Sequence, residues 1–113
     1  MSQSHLELLS HIIDEINFIM SESSTTNIEK FLNDEKLKRA FVRSFEIIGE
    51  ASKNIPDNIK ELYPEIEWKS MARMRDRLIH HYFGVDYELV WNIVCENIPV
   101  LKVQLEKILQ NSK

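Results

Sequence analysis

Trp68-Lys69-Ser70-Met71-Ala72-Arg73-Met74-Arg75-Asp76-Arg77-Leu78-Ile79-His80-His81-Tyr82 is the stretch on which the reading of this chain turns. Trp68, Met71, Ala72, Leu78, Ile79 and Tyr82 fall at steps that mark one face of a helix. Arg75 falls in the same stripe, where the period asks for a core residue. A guanidinium keeps its charge and is costly to bury unpaired. Arg75 is therefore expected to meet a carboxylate, reach a cleft or lie at a subunit interface.

The elements on either side are helical as well. This helix is expected over residues 67–81, with Gly84 ending it in a left-handed cap. Upstream, a helix over 34–54 puts Leu37, Ala40, Phe41, Ser44, Phe45, Ile48 and Ala51 on one face, and Pro56 ends it. Gly49 in its middle costs ~1 kcal/mol against Ala, which a closely packed neighbouring helix would explain. Residues 4–21 form a first helix with Leu9, Ile12, Ile13, Ile16, Ile19 and Met20 inward and Ser2 or Ser4 as its cap. The polar tract 21–26 is a loop. Short helical turns are expected at 27–32 and 57–62. Asp86 caps a last helix carrying Leu89, Val90, Ile93, Val94, Val100, Leu101, Leu105 and Ile108, which Pro99 should kink or split near Asn97. With no β alternation and no internal repeat, the expected fold is all-α: one domain over residues 1–113, an antiparallel bundle of four to five helices.

Composition agrees with that class. The 113 residues are 43% hydrophobic and 28% charged, the mix of a soluble globular domain, and 2 Gly with 3 Pro leave little material for an all-β fold. No apolar run approaches the ~18–20 residues that span a bilayer. Met1-Ser2-Gln3-Ser4-His5 has neither a basic segment nor a long apolar run, so no signal peptide is expected. The one cysteine, Cys95, excludes an internal disulfide and is expected to be a buried small hydrophobe among Ile93, Val94 and Ile98. These features fit a reducing cytoplasm. A net charge of −4 argues against broad, nonspecific nucleic-acid binding. Against that total, Lys69, Arg73, Arg75, Arg77, His80 and His81 form a local basic patch interrupted by Asp76.

Few chemistries survive a search of the motifs. There is no His-Glu-x-x-His, no Cys pair, no Walker loop and no dinucleotide fingerprint, and Glu46 and Glu50 lack the Glu-x-x-His partner of a di-iron bundle. No metal and no cofactor is expected. Arg75, His80 and Tyr82 remain. Histidine exchanges protons near neutral pH, and arginine offers fixed donors to two phosphate oxygens at once. On an ideal helix residues 75 and 80 lie about 140° apart. To converge they need the long Arg arm, a distorted helix end before Gly84, or a second subunit. Asp76, four residues before His80, is placed to fix its tautomer. Plainer roles exist for each: a histidine at a helix C-terminus, a core tyrosine, and Glu46 or Glu50 as partners of Arg43, Lys53 or Arg75.

Arg75-Asp76-Arg77-Leu78-Ile79-His80-His81-Tyr82, followed by Phe83-Gly84-Val85-Asp86, resembles the signature of the HepT-like toxin family within the HEPN superfamily: Arg, a polar residue, three residues, His, one residue, Tyr. The second-helix segment Arg43-Ser44-Phe45-Glu46-Ile47-Ile48-Gly49-Glu50-Ala51 is similar to that family's pattern, so the resemblance covers essentially the whole chain. It implies a homodimer whose two motif helices face a shared cleft. It also implies a metal-independent endo- or exoribonuclease acting on mRNA or tRNA. His80 would be the general acid or base, Arg75 would stabilise phosphate charge and Asp76 would support His80. Arg77, His81, Arg73 and Lys69 would be the RNA or partner contacts. The family pairs with a minimal nucleotidyltransferase antitoxin, for which Tyr82 would be the acceptor of AMP. The acidic total charge leaves a second reading, a non-catalytic helical subunit that binds a nucleotidyltransferase partner or a nucleotide. A third is a plain homodimeric bundle in which Arg75 pairs with Glu46 or Glu50.

Overall fold

Where each helix begins is set by the side chain just before it. The computed structural model describes residues 4–80 and 84–111, with residues 79 and 80 described in backbone only. Ser4 precedes α1 (His5–Ser23), Asn27 precedes α2 (Ile28–Leu32) and Asp34 precedes α3 (Glu35–Lys53). Each of these caps has extended backbone, and its side-chain oxygen accepts a hydrogen bond from the amide three residues on. Pro56 opens α4 (Asp57–Leu62), whose first turn needs no proline N–H. Then come α5 (Trp68–Ala72), α6 (Met74–Leu78), the two-residue strands β1 (Ile79–His80) and β2 (Gly84–Val85), α7 (Tyr87–Glu96) and α8 (Ile98–Asn111). Asp86 caps α7 through Leu89 N–H. No helix among the described residues is long and apolar enough to cross a membrane.

Among the described residues the protein is all-α apart from the small ribbon, in which Ile79 pairs antiparallel with Val85 and His80 with Gly84. α1 lies against α3 and α8, and α3 in turn carries α5 and α6. Ile12, Ile16 and Ile19 of α1, Phe41, Phe45 and Ile48 of α3, and Leu105 and Ile108 of α8 are buried in one core. Their three- and four-residue spacing is the expected stripe, and each such side chain contributes about 1.5–3 kcal/mol by leaving water. Ser44 shares the α3 face and is buried too, its hydroxyl donating to Glu15 Oε1 on α1 at 2.7 Å. An aromatic knot ties the short α2 to this core. The Phe31 ring lies 5.3 Å from Phe41 and 5.2 Å from Trp91, with Tyr87 edge-on at 6.4 Å.

One expectation holds here and four change. The last helix is split at Asn97, and the sequence led us to expect this: Pro99 has no N–H to continue the ladder. The split also rotates the inward face, and Val100, expected inside, is exposed. Cys95 is exposed rather than buried, because Val90, Ile93 and Val94 supply the inward side of α7. The helix expected over 67–81 instead ends at Leu78. There the chain turns extended to pair with residues 84–85, and Asp86 N–H closes the ribbon on Leu78 C=O at 2.8 Å. Gly84 has the expected left-handed backbone, φ +80°, but uses it in the ribbon and not in a helix cap.

Candidate active site

Arg75 lies on α6, and a backbone break decides which way it faces. Arg73, at φ −97° and ψ 7°, separates α5 from α6. Across the break the inward residues are Trp68, Met71, Met74 and Leu78. Met74 therefore takes the core position that a continuous helix would have assigned to Arg75. The Arg75 side chain is 56% exposed. The expectation of a charged residue inside the apolar stripe is corrected accordingly, and the guanidinium avoids the desolvation that burial would impose.

Arg75 still finds the carboxylate anticipated for it. Its Nε lies 3.3 Å from Glu46 Oε2, a half-buried side chain on α3. Its Nη1 lies 3.9 Å from Asp76 Oδ1, which is 76% exposed. Of the two acids in the α3 pattern, Glu46 makes this pair and Glu50 stays outside it. Close packing of the helices makes the pairing possible. A Cβ on Gly49 would come within 3.3 Å of the Met71 and Ala72 carbonyl oxygens, so glycine lets α5 and its continuation α6 sit directly on α3.

The other expected site residues separate. Arg77 turns from Arg75: its Nη1 donates to Ser70 Oγ at 3.1 Å. It lines a groove of about 200 Å³ between α5–α6 and the α7–α8 corner, floored by Met71, Met74, Ile98 and Leu101. Lys69 borders a shallower concavity with Lys60 and Trp68. Arg73 is exposed at the break. The basic patch is thus spread over several faces, which a linear count of charges does not reveal. Asp76 and His80 are no longer one helical turn apart, since α6 ends at Leu78 and residues 79 and 80 are extended. His81, Tyr82 and the His80 side chain lie outside what the structure describes. The His80 backbone is held opposite Gly84, within the two-residue ribbon that follows Arg75's helix.

What this arrangement can do is limited and specific. A half-buried carboxylate takes Nε of an exposed guanidinium and a solvated one approaches Nη1, which leaves Nη2 and part of Nη1 to meet an anion with two oxygens.

Residues 11–108 match the family described as "Ribonuclease HepT-like". The chain is 50% identical to "Probable ribonuclease HepT" of Thermococcus cleftensis, over 96% of this chain and 98% of that one. It is 46% identical to a "Putative RNase" of Caldanaerobacter subterraneus, over 93% and 94% of the two chains. It is 45% identical to another protein so named in Methanocaldococcus jannaschii, over 93% and 87%. No solved structure matches the chain.

Proposed function

The chain belongs to the HepT-like ribonuclease family, and from that premise we propose that it is a metal-independent ribonuclease and the toxin of a toxin–antitoxin pair. The observation that carries this reading is the family match over residues 11–108, a span that includes Arg75, Asp76, His80 and Tyr82. The exposed, carboxylate-anchored Arg75 supports it, because a phosphate needs an accessible and oriented guanidinium.

In the proposed reaction the RNA 2′-oxygen attacks the adjacent phosphorus. The new O2′–P bond forms as the P–O5′ bond breaks. One proton leaves the 2′-hydroxyl and one is delivered to the departing 5′-oxygen. The products are a 2′,3′-cyclic phosphate and a 5′-hydroxyl end. His80 handles a proton in this exchange and Arg75 meets the charge that grows on the non-bridging oxygens. Two copies of the chain contribute their motif segments to one cleft. That arrangement would let an Arg and a His five residues apart serve a single phosphate. Arg73, Arg77, Lys69 and His81 are the flanking contacts for RNA or partner.

Control of the toxin falls to Tyr82. Its phenolic oxygen attacks the α-phosphorus of ATP on a nucleotidyltransferase antitoxin, and pyrophosphate leaves. The adenylyl group then adds bulk and negative charge at the mouth of the RNA cleft, blocking it and repelling phosphates.

The test is induction of wild type, His80→Ala and Tyr82→Phe, with growth and RNA integrity followed together. Arrest with RNA fragments ending in cyclic phosphate, absent in His80→Ala, is the expected outcome. A folded wild-type protein that neither arrests growth nor cuts RNA would transfer the assignment to a non-catalytic subunit that binds the nucleotidyltransferase.

A further inference from the structure

We propose that Glu46 is a positioning residue for the ribonuclease site, acting through Arg75; this rests on the reading above. The guanidinium sits on an exposed side chain at a helix that ends three residues later, so the backbone alone leaves it many rotamers. Two carboxylates approach it, and they differ in what they can do. Asp76 is a neighbour on the same short helix, 76% exposed and 3.9 Å away, too solvated to fix a direction. Glu46 comes from α3, where Phe45 and Ile48 are fully buried and hold the backbone rigid. It reaches Nε at 3.3 Å from a half-buried position. A rigid element thus sets the direction of the arginine that must meet phosphate. The contact falls on Nε, which leaves Nη2 and much of Nη1's donor capacity for a phosphate. A carboxylate so close to the reacting phosphate repels it in the ground state as well. Glu46 is therefore expected to act on turnover rather than on substrate affinity.

Glu46→Ala, Glu46→Gln, His80→Ala and wild type would be compared on a short RNA substrate, with kcat, KM and thermal stability measured for each. Both Glu46 variants should lose kcat by roughly 10–100-fold, as expected when a catalytic group is misplaced by an ångström or so. Their KM should stay within about twofold of wild type, the pattern of an interaction used in the transition state. Added formate should restore part of the Glu46→Ala rate, by placing a carboxylate in the vacated space, and should do nothing for Glu46→Gln, which fills it. Wild-type kcat in Glu46→Gln would overturn the proposal, as would a loss that simply follows the fall in stability and ignores formate. Failure of the underlying reading looks different: folded wild type would then be as inactive as His80→Ala, and both assignments would fall together.

Discussion

Arg75→Ala separates a structural arginine from a catalytic one because the two roles predict effects of different size. At the observed Nε–Oε2 distance of 3.3 Å, the bare Coulomb attraction is about 1 kcal/mol in water and ~5 kcal/mol at the effective dielectric of a protein surface. With 56% of Arg75 and 34% of Glu46 exposed, solvent screens the pair, and holding both side chains still costs entropy. Pairs of this kind are worth about 0.2–1 kcal/mol. For a chain of this size that corresponds to a fall in Tm of no more than about 4 °C. Had Arg75 occupied the core stripe, its removal would have stranded a buried carboxylate at a cost of about 3–5 kcal/mol. The corresponding fall would be on the order of 12–20 °C, so thermal unfolding followed by circular dichroism resolves the two cases. The small stability effect should shrink further as salt is raised. RNA cleavage should drop by about 10²–10³-fold, the usual loss when one donor to transition-state charge is removed. A fall in Tm beyond ~10 °C would refute the exposed geometry. Unchanged cleavage by a well-folded variant would refute the role in charge stabilisation.

Other perturbations probe the scaffold around the site. Gly84→Ala should cost about 1–2 kcal/mol in chemical denaturation, because φ is +80° there while a Cβ would meet nothing within 4 Å, so the penalty is purely one of backbone. A neutral result would mean the ribbon opposite His80 relaxes freely. Phe31→Ala should cost about 3–5 kcal/mol and lower the urea midpoint, since Phe31 is the one buried side chain of α2 and packs between Phe41 and Trp91. A loss under ~1 kcal/mol would show that α2 is not anchored by it. Cys95 should alkylate in the native protein, being exposed. It should do so more slowly than a free cysteine at mildly alkaline pH, because partial burial and the Glu96 charge push its thiol pKa up and less thiolate is present. Rates equal to those of the free amino acid across that range would contradict the raised pKa.

Much of this protein follows from local chemistry alone. The caps Ser4 and Asp86, the three- and four-residue apolar steps of α1 and α3, and the split before Pro99 are all set by interactions within a few residues, so each was legible in the chain. Gly49 was legible as a place of close approach for the same reason, since a helix interior tolerates glycine poorly without a neighbour that needs the room. The Arg75 to Tyr82 motif and its family were equally local. The facing of Arg75, the exposure of Cys95 and Val100, and the choice of Glu46 over Glu50 were decided by tertiary structure. Each depends on where a helix breaks or on which turn of a neighbouring helix lies alongside. The break at Arg73 costs little locally and is favoured because it seats Met74 in the core and leaves a charge in water. Periodicity read along one segment assumes an unbroken helix, and only packing against α3 determines where that assumption ends.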